Sequence, residues 1–173
     1  GIDGTFTHEA DAINLAYAIN GTVVDENGDY IWKKTSRSIR NQIMAITGKT
    51  VDENGSQLAT CLETILEFEG IVKNVQPMLD RGRSVEQILE ENLNGARVLE
   101  LRGVSLDAIL YYTNKDIPVL VNLEDGKAVL LIGFNELNVV VMNPETGTVY
   151  KVGMNDATNM FWQNGNAFVT YMR

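Results

Sequence analysis

The sequence holds one cysteine, Cys61, and one histidine, His8. A thiol hydrolase needs both groups within reach, because a base titrating near the working pH must form the thiolate and later protonate the leaving amine. Here they fall in different predicted helices. Residues 7–19 (THEADAINLAYAI) place Ala12, Leu15, Ala16 and Ile19 on one stripe with Thr7 as N-cap, so His8 reads as a surface or helix-start residue without a catalytic role. Residues 57–69 (QLATCLETILEFE) predict a second amphipathic helix with Leu58, Cys61, Leu62, Ile65 and Leu66 on its buried stripe and Gly70 as its stop. A thiolate is favoured at a helix N-terminus, where free N–H groups and the dipole lower its pKa; one turn further in, on the apolar stripe, the thiol stays protonated. Cys61 is therefore expected in the core, with a nucleophilic Cys61 as the alternative.

Metal and phosphate chemistry find less support. Asp52, Asn54, Ser56, Thr60 and Glu63 follow the ligand spacing of a calcium loop, but Gln57 stands where the turn needs glycine. The related run Asp25, Asn27, Asp29 has Tyr30 at that place. Both are read as turns. The sequence has no CxxC or HExxH pattern and no glycine-rich phosphate loop, so no metal or cofactor is expected.

Around these residues the predicted elements run from helices to sheet. Residues 22–32 (TVVDENGDYIW) predict a hairpin about an Asn-Gly turn. A helix is expected from Thr35 or Ser36 to about Thr47, stopped by Gly48. The run Ala18-Ile19-x-Gly21-x-x-Val24-Asp25-Glu26-Asn27-Gly28 recurs as Ala45-Ile46-x-Gly48-x-x-Val51-Asp52-Glu53-Asn54-Gly55, which suggests two helix-turn units of similar shape. Val72–Leu79 and Val85–Leu93 read as short helices, the second capped by Ser84; Arg97–Leu101 reads as a strand; Ser105 caps a helix over Leu106–Thr113. Val119–Leu123, Ala128–Phe134 and Val139–Met142 are apolar runs separated by turn signals, as buried strands should be. The order predicts an α+β fold with a mostly antiparallel sheet. Residues 1–54 are expected to be a helical and hairpin extension, and 55–173 the main domain of one compact unit.

A length of 173 residues suits one domain with a sizeable core. The net charge of −9 and pI of about 4.6 argue against nucleic acid and anionic membrane surfaces, which need a basic footprint. No run reaches the length of a membrane-spanning helix, so no direct membrane insertion is expected. One cysteine excludes an internal disulfide. The chain begins Gly-Ile-Asp-Gly without methionine and reads as a piece of a longer protein, with targeting segments and neighbouring domains expected outside it.

From about Gly55 to Tyr171 the order of these pieces resembles the bacteriocin-processing, papain-like cysteine peptidases, often called double-glycine peptidases. The matching pieces are the helix ending Phe68-Glu69-Gly70, the Gly103-Val104-Ser105-Leu106-Asp107 helix start, the strand after Ile117-Pro118, the Asn143-Pro144 turn, and a last strand containing Phe161-Trp162-x-x-Gly165-x-Ala167-Phe168-Val169. In that family one strand opens on the catalytic His and the next closes on its orienting Asp; here those positions hold Lys127 and Asn143. Counting back from Gly70 by the family's spacing puts Gln57 at the nucleophile position, with Cys61 one turn further in. Lys127, with an ordinary pKa of about 10.4, would need a large shift to act as base.

The resemblance therefore implies a degenerate papain-like domain that binds a peptide or partner protein without cutting it. It also implies a module of a larger bacterial protein, exported or at the cell surface. Tyr111, Tyr112 and Trp162 are candidates to line a surviving groove beside Lys127 and Asn143. One alternative is an active hydrolase using Cys61, Lys127 as base and Gln57 as oxyanion donor. Another is a structural spacer. Oligomeric state is left open.

Overall fold

The computed structural model describes residues 2, 4–19, 21–33, 43–53 and 55–173. Its centre is a six-stranded sheet in the order β3 (Arg97–Arg102), β8 (Ala167–Met172), β4 (Val119–Asn122), β5 (Ala128–Phe134), β6 (Asn138–Asn143), β7 (Thr148–Gly153). Every neighbouring pair is antiparallel. With the helices α1 (Glu9–Ile19), α2 (Gln57–Phe68), α3 (Gln76–Asp80), α4 (Val85–Asn92), α5 (Leu106–Thr113) and α6 (Met154–Gln163), this is an α+β architecture. A separate hairpin pairs β1 (Thr22–Val24) with β2 (Tyr30–Lys33).

Helices cover both faces of the sheet, as the alternation of β8 shows. Tyr171 Oη donates to Glu69 just past α2, at 2.6 Å, whereas the Phe168 ring meets Phe161 of α6 edge-on with centroids 5.8 Å apart. Residues an odd number apart on a strand point to opposite faces, so α2 and α6 lie on opposite sides. Burial on both faces explains why all seven residues of β5 are buried and why its sequence is continuously apolar. Leu62, Ile65 and Leu66 of α2 are fully buried, each contributing about 1.5–3 kcal/mol relative to an exposed side chain.

The N-terminal residues join this same core through Ala10, Ile13, Ala16, Val23 and Met44. The buried stripe of α1 is Ala10, Ile13 and Ala16, not the expected Ala12, Leu15, Ala16 and Ile19, and Ile19 is 49% exposed. The two alanines let α1 lie close to α5, where Tyr112 Oη accepts the Ala10 N–H and Asn14 Oδ1 accepts the Ser105 N–H. The first intrahelical bond is accepted by His8, so the helix starts one residue after the expected Thr7 cap.

Further along, the helix expected up to Thr47 falls partly on residues outside the described ones. The described part, 43–47, is not helical: Ile43 bridges Gly133, the Met44 N–H donates to the Ile132 carbonyl, and the Ile46 N–H closes a tight turn onto the Met44 carbonyl. β4 begins only at Val119, so the last residues of β5 offer a free edge that this segment takes. The sequence repeat therefore encodes a turn and not a helix-turn unit. The Gly28 N–H donates to Asp25 and the Gly55 N–H to Asp52 in the same spacing, but Ile19 ends a helix whereas Ile46 lies in irregular chain. In the first copy Asp25 Oδ1 also accepts the N–H groups of Asn27 and Asp29, which is turn chemistry.

Two further expectations are corrected. Residues 72–75 are irregular and Val72 is 89% exposed, because the helix there begins at Gln76 with Pro77 in its first turn. Phe161 and Trp162 belong to α6 and not to the last strand, which starts at Ala167; β7 and α6 both escaped the sequence reading.

Candidate functional site

The site begins with the N-terminus of α2. Ser56 is its cap, with Oγ accepting the Ala59 N–H at 3.1 Å and donating to Gln76 Oε1 at 2.8 Å. Gln57 is the first helical residue, half-buried, and its Oε1 accepts the Ala128 N–H at 3.1 Å. That bond ties the start of α2 to the start of β5.

Ala128 follows the turn that carries Lys127. Asp125 and Gly126 both have positive φ, and the Lys127 N–H donates to the Glu124 carbonyl; an Asp-Gly pair is suited to this backbone, since glycine adopts it without strain. Lys127 Nζ lies 3.9 Å from Glu145 Oε1, each side chain about half exposed (51% and 52%), so the pair contributes little to stability. Asn143 ends β6, where its Oδ1 accepts the Glu145 N–H at 3.0 Å and its carbonyl accepts the Gly147 N–H at 2.9 Å. Gln57, Lys127 and Asn143 are thus brought to one end of the sheet, linked through Ala128 and Glu145. Their own hydrogen bonds are those of a helix tether, an exposed ion pair and a turn.

Cys61 lies elsewhere on α2. It is fully buried, and burial pushes its thiol up to about 12. An uncharged, enclosed thiol has neither the charge nor the access of a nucleophile. His8 stands before α1, which packs on α5.

The aromatic candidates are not assembled with these residues. Tyr112 is fully buried, its hydroxyl between the Ala10 N–H and Glu9, so it cannot line an open groove. Tyr111 packs edge-on against Tyr112 with centroids 5.3 Å apart, and Lys115 Nζ lies 5.1 Å from its ring centre. Trp162 is 72% exposed on α6, whose end reaches the Lys127 hairpin through Asn164 Oδ1 and the Glu124 N–H at 2.7 Å.

A groove of about 290 Å³ opens between the start of α4 (Val85, Glu86) and the sheet residues Glu100, Arg102, Asn122 and Ala167. Sheet register joins it to Gln57. Arg102 pairs with Ala167, Ala167 with Asn122, and Asn122 with Ala128, whose N–H Gln57 holds. With strands about 4.8 Å apart, this cross-strand row runs about 14 Å from Ala128 to Arg102, and the groove begins at Asn122, one strand from Ala128. Sequence reasoning missed the groove. The available signal was Glu100 and Arg102 alternating with buried Leu99 and Leu101 on β3.

No protein-family model matches the chain, and no curated protein matches it in sequence. Its structure is similar to the crystal structure of a Bacillus anthracis protein provisionally described as a C39-like peptidase, with a TM-score of 0.59 over 78% of this chain and 98% of that one. At 13% identity the likeness is one of fold alone.

Proposed function

We propose that this chain is a non-catalytic, papain-like domain that binds an extended peptide or a peptide segment of a partner protein. The observation that carries the reading is the Gln57–Ala128 hydrogen bond. It joins the helix start and strand start to which the family resemblance assigns the nucleophile and base, and the side chains there are an amide and a lysine. An amide has no acid–base chemistry near neutral pH, and Lys127 is a half-exposed side chain paired with Glu145. The groove on the same cross-strand row supports binding, because it leaves an open, polar stretch of sheet beside that position.

The test uses hexapeptides Gly-Ser-Xaa-Gly-Gly-Ser with Xaa as arginine, norleucine or glutamate. Amide resonances of Asn122, Ala128 and Ala167 should move on titration with at least one peptide, and the peptide should remain intact. Cleavage that disappears in Cys61→Ala would overturn the non-catalytic reading. Absence of any shift with all three at millimolar concentration would overturn peptide binding.

A further inference from the structure

We propose that Asn94 is a chemical modification site, at which the folded chain converts asparagine to aspartate and isoaspartate without an enzyme. The sequence holds five Asn-Gly pairs, at 20–21, 27–28, 54–55, 94–95 and 164–165. In such a pair the backbone nitrogen of the glycine has no Cβ beside it to block its approach to the preceding side chain. At position 94 the bond from Gly95 N to Asn94 Cγ forms and the Cγ–Nδ2 bond breaks. Ammonia leaves with the proton of the Gly95 amide. Water then opens the cyclic imide on one side or the other. Opening at Cγ restores the ordinary chain with an aspartate; opening at the α-carbonyl leaves the backbone running through the side chain as isoaspartate.

The fold holds back the other four pairs. In each of them the attacking nitrogen is engaged: Gly21 donates to the Ala16 carbonyl at 2.7 Å, Gly28 to Asp25 at 3.0 Å, Gly55 to Asp52 at 2.9 Å and Gly165 to Trp162 at 3.0 Å. Asn164 is pinned by its side chain as well, with Oδ1 accepting the Glu124 N–H and Nδ2 donating to the Met160 carbonyl. Neither the Gly95 N–H nor the Asn94 side chain has a hydrogen-bond partner among the described residues. Both residues are exposed, in the turn between α4 and β3 that the Ala96 N–H closes onto the Leu93 carbonyl at 3.1 Å. Gly95 has a φ of 78°, and nothing lies within 4 Å of where its Cβ would stand. The nitrogen is therefore free to approach Cγ without breaking a bond first. The products also act on the fold. Position 94 lies just past the C-terminus of α4, where the helix dipole disfavours a negative charge, and isoaspartate adds a methylene to the link that sets β3 after α4.

The full chain, incubated in mildly alkaline buffer, tests this. Peptide mapping by mass spectrometry follows each asparagine over time, native and in urea, and each native rate is divided by that residue's own rate in urea. The ratio for Asn94 should be close to unity. It should exceed those of Asn27 and Asn164 by about fivefold or more, the factor for opening one hydrogen bond. On isoelectric focusing, Asn94→Ser should lose the first acidic band that the wild type forms. A ratio for Asn27 or Asn164 that equals or exceeds the Asn94 ratio would overturn the assignment. So would an unchanged first acidic band in Asn94→Ser.

Discussion

Val51 donates its N–H to the Pro144 carbonyl at 3.2 Å, which draws the chain after β6 toward the N-terminal segment. The backbone of Lys127 faces β4, so alternation turns the Ala128 N–H the other way, toward the end of β6. With the Pro144 carbonyl engaged by Val51, Gln57 supplies the acceptor.

Replacing Gln57 should show how much that tether matters. Ala128 is 1% exposed, and Gln57→Ala leaves its N–H without an acceptor. The expected loss is about 1–3 kcal/mol, read as a lower urea midpoint at unchanged slope. Gln57→Glu keeps an acceptor oxygen and should lose less.

Thiol chemistry separates the two positions on α2. Native Cys61 should resist alkylation at neutral pH, its thiol titrating at about 12 through burial, and should react freely once the chain is denatured. In a Cys61→Ala background, Gln57→Cys should place a thiol at the helix start and react natively at neutral pH, with an apparent pKa below about 8.5. The rate of iodoacetamide labelling against pH distinguishes the two. Slow labelling at position 57 would show that the helix start does not activate a thiol.

Acid stability should respond to Glu69. Burial favours the neutral form of this carboxyl, but hydrogen bonds from Arg173 and Tyr171, together with the Arg173 charge, outweigh it and hold the group below its usual value. Because the folded value lies below the unfolded one of about 4.3, its stabilisation is complete above that pH and is lost as pH falls through the folded value. Glu69→Gln should cost about 1.5–3 kcal/mol at pH 7, and the gap from the wild type should narrow below about pH 4. Urea midpoints from neutral to acid pH measure it. A constant gap would assign the loss to packing alone.

Gly48 offers a steric test of the N-terminal segment. A Cβ there would collide with the Gly147 carbonyl oxygen, a backbone atom that has no rotamer to give. Gly48→Ala should destabilise by about 1–3 kcal/mol through overpacking. The amides of Val51 and Gly147 should lose hydrogen-exchange protection before those of β5. Unchanged protection would mean that the segment accommodates the methyl by shifting as a unit.

Much of the fold was legible because its signals were local. Ser84 and Ser105 capped their helices as read, and β4, β5 and β6 follow continuous apolar runs. What escaped lacked such signals. β7 is exposed along Thr148–Lys151 as a sheet edge, so it shows no apolar face, and α6 buries only Ala157 and Phe161. The α1 stripe was misplaced because the partner surface selects small residues, which carry little weight in a hydrophobic pattern. At the site, the sequence brought Gln57, Lys127 and Asn143 into one frame. The groove depends on which strands neighbour one another, and β3 meets β8 across a separation that no local pattern encodes.

The placement of β8 also has a kinetic meaning. The sheet's last strand in sequence lies between β3 and β4, pairing with both. β3 and β4 therefore have no strand contact with each other until residues near 170 are available. During synthesis, β4 to β7 can assemble as a meander while β3 waits with exposed edges, and the row from Ala128 to Arg102 is completed last. Binding competence should then appear as a slow, final phase of refolding, governed by long-range strand pairing rather than by helix formation.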